Sequence, residues 1–257
     1  MNPEISVVSP LYRSADHVER LLGRLRSTMP VLAGSWEVVL VDDHCPEHSA
    51  ARAAEHLLGK EPVRILRLDR NVGQLAAIGI GLRQARGDIL VVMDADLQDR
   101  PEDIAVLVGT LRDSEVDVVA AGRRGIYTTR GRRLTAAIFR RARTVLTSGR
   151  VPADAGLFLA ARRDVIDRFL ALEDPRLHAV SGLARVGAAM TSTPVSRAAR
   201  VGGASGYSWW RRLGVATSAL AAVTPLFPIV RALDRRRWSP PGITWLTEEQ
   251  HLSESAR

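Results

Sequence analysis

The chain has 257 residues, 46% hydrophobic and 25% charged, enough to bury a sizeable core without disulfide or metal staples. Those figures exclude intrinsic disorder, a collagen-like fibre and a small disulfide scaffold. The lone cysteine, Cys45, can form no internal disulfide and fits a reducing cytosol. A net charge of +8 and a pI near 10.9 point to an anionic partner, whether nucleic acid, a membrane surface or phosphates. All but Lys60 of the 36 basic residues are arginine, and they concentrate in Arg123–Arg150 and Arg197–Arg237.

The opening Met1-Asn2-Pro3-Glu4 has no basic region leading into an apolar core, so no secretory leader is expected. Ile5 to Val8 reads as a short strand ending at Ser9-Pro10, and Ser14 can cap a helix to about Met29. Trp36 to Val41 is a second strand closing on Asp42-Asp43. A helix is expected from Ser49 to Leu58, a third strand from Val63 to Leu66, and a helix from Val72 to Arg86 stopped by Gly87. Ile89 to Met93 is a buried strand, Pro101 opens a helix to about Arg112, and Val116 to Ala120 is a fifth strand. This alternation predicts an α/β fold with a mostly parallel sheet and helices on both faces.

After Gly122 the pattern weakens. A basic helix is expected over Arg132 to Leu146, a strand over Phe158 to Ala161 and a helix over Arg163 to Leu172. Arg197 to Tyr207 has the glycines and small residues of a loop, and Leu213 to Val230 carries no charge. As helix that uncharged run is about 27 Å long, short of the roughly 30 Å hydrocarbon core, and Pro225 and Pro228 interrupt it. No membrane span is expected there. Trp209, Trp210 and Arg211-Arg212 suit either a helix in a lipid headgroup layer or one packed on the domain. The expected organisation is a catalytic domain over 1–207, an amphipathic basic segment over 208–237 and a polar tail over 238–257.

The chemistry centres on Asp94-Ala95-Asp96, where a buried apolar strand runs into two carboxylates. Alternate residues of an extended chain face one way, so both acids would point to the same side at the carboxyl end of the sheet. Two such charges about 5 Å apart repel by roughly 3 kcal/mol at an effective dielectric of 20. A divalent cation relieves this, and Mg²⁺ or Mn²⁺ takes such oxygens together with a diphosphate. The acid at the end of the second strand, Asp42, can accept hydrogen bonds from a ribose or base edge. Neither G-x-G-x-x-G nor G-x-x-x-x-G-K-[ST] occurs, which argues against a dinucleotide dehydrogenase or a P-loop ATPase. A haloacid-dehalogenase-type phosphatase expects Thr or Val where this chain has Gln98. A nucleic-acid-binding role lacks aromatic interleaving or any known module.

Ser6-Val-Val-Ser-Pro-Leu-Tyr12, Val41-Asp-Asp43, Arg70-Asn-Val-Gly-Gln-Leu-Ala-Ala77, Ala85-Arg-Gly-Asp-Ile89 and Asp94-Ala-Asp-Leu-Gln-Asp-Arg-Pro-Glu102 stand in order. Asp154-Ala-Gly156 with Phe158, and Arg197-x-x-Arg200-x-Gly-Gly-x-Ser205-x-Tyr207, follow. Together they resemble glycosyltransferase family 2, in its polyprenyl-phosphate branch, from about residue 4 to residue 233. The resemblance implies a GT-A fold with a C-terminal amphipathic helix and inverting transfer from a UDP- or GDP-sugar. The acceptor would be a polyprenyl phosphate or, alternatively, a soluble small molecule. Pro10, Tyr12 and Asp42 would hold the nucleoside, with Gln74 also in the donor site. Asp94 and Asp96 would serve the metal with Gln98 beside them. Arg123 stands where the family often has an arginine after its fifth strand and would join the donor site, and Arg197, Arg200, Ser205 and Tyr207 would close on the phosphates.

Where relatives read Gly-Asp-Phe-Arg-Leu, this chain has Gly156-Leu-Phe-Leu-Ala160, so an acid and an arginine are missing on the acceptor side. Asp154 is the first candidate for a base if the acceptor is an alcohol, and His178 the second. The expected setting is cytoplasmic, including peripheral attachment at the inner face of the cell membrane, with no nucleic acid and with a homo-oligomer compatible.

Overall fold

Apolar runs without a polar break, such as Val38-Val-Leu-Val41 and Leu90-Val-Val-Met93, are satisfied by strands covered on both faces. The computed structural model describes residues 2–122, 147, 149–174, 178–195 and 239–246. Over the first half, β1 (Ile5–Leu11), α1 (Ala15–Leu32), β2 (Trp36–Asp42), α2 (Ser49–Glu55), β3 (Val63–Leu68), α3 (Gln74–Gln84) and β4 (Ile89–Val92) alternate as predicted. A 3-10 turn (Pro101–Asp103), α4 (Ile104–Arg112) and β5 (Val118–Gly122) follow. Then come β6 (Ala155–Arg162), α5 (Arg163–Leu170), α6 (Ala179–Arg185), β7 (Met190–Pro194) and β8 (Ile243–Trp245).

The eight strands among the described residues form one sheet in the order β7-β5-β6-β4-β1-β2-β3-β8. β1 pairs in parallel with β2 and β4, β2 with β3, and β5 with β7, whereas β6 and β8 run antiparallel to their neighbours. The period-2 alternation sorts the apolar side chains into two layers. Val7, Leu11, Val38, Leu40 and Val91 pack with α1, α2 and α4, while Val8, Val39, Val41 and Val92 pack with α3, α5 and α6. The mixed α/β sheet flanked by helices is the arrangement the alternation implies.

The second half departs from expectation in detail. β5 begins two residues later than the apolar run suggested, and β6 is eight residues long and reversed. α6 and β7 carry no strong local signal: one is a short Ala-Val-Ser-Gly-Leu-Ala-Arg turn of helix, the other a half-buried Met-Thr-Ser-Thr-Pro edge. Residues 239–246 fall in the stretch expected as a polar tail, yet they add an edge strand to β3. Leu66 pairs with Trp245, the Asp69 amide donates to the Gly242 carbonyl at 3.0 Å, and the Arg64 guanidinium lies 4.6 Å from the Trp245 ring centroid. The helix expected over Arg132 to Leu146 and the amphipathic segment 208–237 lie outside the described residues. No described helix is long and apolar enough to cross a membrane.

Candidate active site

In an open α/β sheet, ligands bind past the carboxyl ends of the strands where the strand order reverses. Here the chain runs outward from β1 through β2 and β3, then returns to place β4 on the other side of β1. Tyr12 follows β1 and Asp94 lies just past β4, so both stand at this reversal.

The β4 ladder extends one residue, with the Met93 amide donating to the Val8 carbonyl at 3.1 Å. Beyond it Ala95 and Leu97 are buried in the core, while Asp94 and Asp96 are only half-buried. Leu97 adopts φ +58°, a left-handed conformation that costs a non-glycine residue about 1–2 kcal/mol. The tight turn brings Gln98 back onto Asp96. The Gln98 backbone N–H donates to Asp96 Oδ1 at 3.1 Å and its side-chain Nε2 to Oδ2 at 2.6 Å. From the first residue of α3, Gln74 Nε2 donates to Asp94 Oδ1 at 2.5 Å. Both acids are therefore oriented by amide donors.

Among the described residues, no group of three or more His, Cys, Asp or Glu side chains could hold a metal ion. A pair of carboxylates, with phosphate oxygens and water completing the shell, is the donor set Mg²⁺ takes beside a nucleotide. Asp94 and Asp96 fit a cation bound together with a diphosphate, not a closed protein cage.

Asp42 is only 1% exposed, with Oδ1 accepting from the Cys45 amide at 2.7 Å and Oδ2 from the Ala50 amide at 3.2 Å. Its carboxylate thus ties down the β2–α2 turn. Asp43 does the same for the next loop, accepting from Val72 N–H at 2.6 Å and Gly73 N–H at 2.9 Å. That bond pair fixes the start of α3, and with it Gln74 opposite Asp94. Pro10 is buried in β1 opposite Val41. Tyr12 is exposed, with the Arg13 guanidinium 5.7 Å from its ring centroid.

Asp154 immediately precedes β6, which starts at the carboxyl edge because it runs antiparallel to β4. It therefore shares the edge that carries Asp94. Its Oδ1 accepts from Ser192 Oγ at 2.7 Å. His178 heads α6. Leu157 and Leu159 lie on one face of β6 and pack in the layer of α3 and α5. Arg123, Arg197, Arg200, Ser205 and Tyr207 lie outside the described residues.

Sequence reasoning missed Asp43 as the brace for Gln74, and it missed Ser192 and Gly122 altogether. A glycine ending a buried strand, hinting at close backbone approach, was the one available signal. On the turn after Asp96, Arg24 Nε donates to Glu102 Oε1 at 2.8 Å. This bond holds the Glu102 carboxyl below its ordinary range and the Arg24 guanidinium above its own. Burial pushes the neighbouring Asp103 carboxyl up.

The model of glycosyl transferase family 2 matches residues 6–170, spanning β1 to α5 and the Asp94–Asp96 pair. The chain belongs to glycosyltransferase family 2. It is 30% identical over 213 residues to an uncharacterized glycosyltransferase of Synechocystis sp., covering 82% of this chain and 66% of that one. It is 34% identical over 225 residues to the undecaprenyl-phosphate 4-deoxy-4-formamido-L-arabinose transferase of Proteus mirabilis, covering 86% and 68%. The chain thus spans about two thirds of the length of these curated relatives.

Two solved structures show the likeness in fold. One is mannosyl-3-phosphoglycerate synthase from Rubrobacter xylanophilus, with TM-score 0.58 and 18% identity, covering 93% of this chain and 77% of that one. The other is glucosyl-3-phosphoglycerate synthase from Mycobacterium tuberculosis in complex with Mn²⁺, UDP and phosphoglyceric acid, with TM-score 0.59 and 20% identity, covering 86% and 77%. The family-2 domain of this chain therefore has the GT-A architecture of these sugar transferases.

Proposed function

We propose that this family-2 glycosyltransferase moves a sugar, with inversion, from a nucleoside diphosphate (UDP or GDP) to a polyprenyl phosphate at the inner face of the cell membrane. The observation that carries the reading is the oriented Asp94–Asp96 pair at the β1/β4 reversal. The relatedness to undecaprenyl-phosphate sugar transferases supplies the acceptor class.

In this reading Pro10, Tyr12 and Asp42 line the nucleoside side, and Asp42 also holds the turn beside them. Asp94 and Asp96, set by Gln74 and Gln98, hold the diphosphate through a divalent cation, either Mg²⁺ or Mn²⁺. Such a cation, when bound, neutralises charge that grows on the leaving diphosphate. Arg123, Arg197 and Arg200, with Ser205 and Tyr207, add donors to the same oxygens, most effectively when water is excluded. The acceptor oxygen attacks the anomeric carbon, the bond to the diphosphate oxygen breaks, and the nucleoside diphosphate departs. A phosphate monoester has a second pKa of about 6 and is largely ionised at neutral pH, so this attack needs no general base.

The position of Asp154 supports a second reading, in which the acceptor is the hydroxyl of a soluble metabolite or nucleoside. An alcohol must lose its proton on attack, and a carboxylate at the catalytic edge can take it. The deciding experiment offers UDP- and GDP-sugars with Mn²⁺ or Mg²⁺ and a short polyprenyl phosphate, following donor loss and lipid product. A lipid-linked sugar supports the first reading. Donor hydrolysis without lipid product moves the acceptor to the soluble class, and failure to bind any sugar nucleotide refutes both.

A further inference from the structure

Three strands meet at a carboxylate that the donor site does not use. The sheet order β7-β5-β6 makes β5 the strand between Asp154, at the head of β6, and Ser192, on β7. The Ser192 hydroxyl nevertheless reaches Asp154 Oδ1 at 2.7 Å. Register places Gly122 of β5 opposite Ala155 on one side and Pro194 on the other, just past an irregularity between Ala120 and Gly122. The carboxylate can cross the end of β5 because residue 122 has no side chain. A Cβ there would stand 2.6 Å from Asp154 Oδ2 and 3.2 Å from the Thr193 carbonyl oxygen.

This arrangement differs from that of the other strand-end acids. Asp42 and Asp43 hold backbone amides of turns next to them in the fold, bracing main chain. Asp154 is instead held by a side-chain hydroxyl 38 residues further on, across an intervening strand. A hydroxyl bonded to one oxygen fixes the rotation of the carboxylate and gives the other oxygen a set direction. Leu157 and Leu159 on the same strand offer no charged group to do that work.

We propose that Ser192 is a positioning residue for Asp154, directing its carboxylate at the acceptor, and that Gly122 is the gap through which the two meet. The proposal rests on the second reading above, in which the acceptor is an alcohol, and refines its acceptor side.

The test compares wild type, Ser192→Ala, Ser192→Thr, Asp154→Asn and the Ser192→Ala/Asp154→Asn double variant. Transfer is assayed with a sugar nucleotide, Mn²⁺ and a soluble alcohol acceptor, and in parallel with a polyprenyl phosphate, whose attack needs no base and whose rate Ser192→Ala should leave near wild type. Displacing a catalytic group by the order of 1 Å costs up to about 100-fold in rate, so Ser192→Ala should lower kcat toward the alcohol by about 10- to 100-fold. Donor KM should stay near wild type while Tm falls only by the few degrees that one lost hydrogen bond costs, and Ser192→Thr, which keeps the hydroxyl, should recover most of the rate. On the Asp154→Asn background, Ser192→Ala should add no further loss. An unchanged kcat toward the alcohol in Ser192→Ala overturns the assignment, as does an equal loss on both backgrounds. A wild-type enzyme that transfers to neither acceptor overturns the functional reading and the role of Ser192 together.

Discussion

Replacing Gly122 with alanine probes the site without removing any polar group. The added Cβ would lie 2.6 Å from Asp154 Oδ2, whereas a close carbon–oxygen contact is about 3.3 Å. The carboxylate must withdraw by about 0.7 Å, and its 2.7 Å bond from Ser192 then stretches to about 3.4 Å, outside the hydrogen-bonding range. Asp154 is a movable side chain, so the stability cost is that of one hydrogen bond and slight crowding, about 1–2 kcal/mol. At about 2–4 °C per kcal/mol for a chain of this size, Tm should fall by about 2–8 °C. The rate should fall further than stability, by about 10- to 100-fold in kcat.

Gly87→Ala is the matched contrast. Its Cβ would meet the Ser6 backbone nitrogen at 2.6 Å and the Ile5 carbonyl carbon at 2.9 Å, at the amino edge of the sheet, away from the catalytic edge. Main chain cannot swing aside, so this variant should lose about 3 kcal/mol or more of stability. It should keep the wild-type kcat per folded molecule. Thermal unfolding and steady-state transfer on both variants decide the matter. A Gly122→Ala enzyme that turns over at the wild-type kcat would refute the reasoning, as would equal rate losses in the two variants.

Three further outcomes follow from the same geometry. Asp96→Asn removes a charged cation ligand, so Mn²⁺ affinity in the presence of UDP, read by electron paramagnetic resonance, should drop by at least about 100-fold; an unchanged affinity would exclude Asp96 from the metal site. His48 is exposed at φ +52° ahead of α2, a conformation that glycine adopts at no steric cost, so His48→Gly should raise stability by up to about 1 kcal/mol in urea unfolding, and a loss would show that the imidazole makes a compensating contact. Burial raises the Asp103 carboxyl pKa, so its ionised form opposes folding at neutral pH and that penalty fades as pH falls through the raised value. Asp103→Asn should therefore gain more on wild type at pH 7 than at pH 4, and an equal or reversed difference would contradict the burial argument.

The strand-helix alternation through Arg112 was legible because its signals are local. Unbroken apolar runs such as Leu90 to Met93 can be read without knowing what covers them, as can the stops at Gly87 and Pro101. The place of the Asp94–Asp96 pair just past β4 was legible for the same reason, whereas the turn at Leu97 that sets Gln98 on Asp96 was not. The direction of β6 was not legible, because pairing sets it, and neither were β7 and β8, because an edge strand gains its order from a partner. Ile243–Trp245 has that partner in β3, more than 170 residues earlier.

Sequence by itself thus determined the fold class and the family, and it singled out the acids proposed for the donor site. Only the tertiary structure decided what each acid does. Asp42 and Asp43 look alike as a pair, yet each is committed to backbone amides of a different turn, and Gln74 reaches Asp94 only because Asp43 holds its loop. The partnership of Asp154 with Ser192 through the gap at Gly122 depends on sheet order, which has no period and no fixed spacing along the chain. A repeat in sequence can encode which face a residue takes. Which distant residue meets it there is set by how strands pair across the sheet, and that is a property of the folded chain alone.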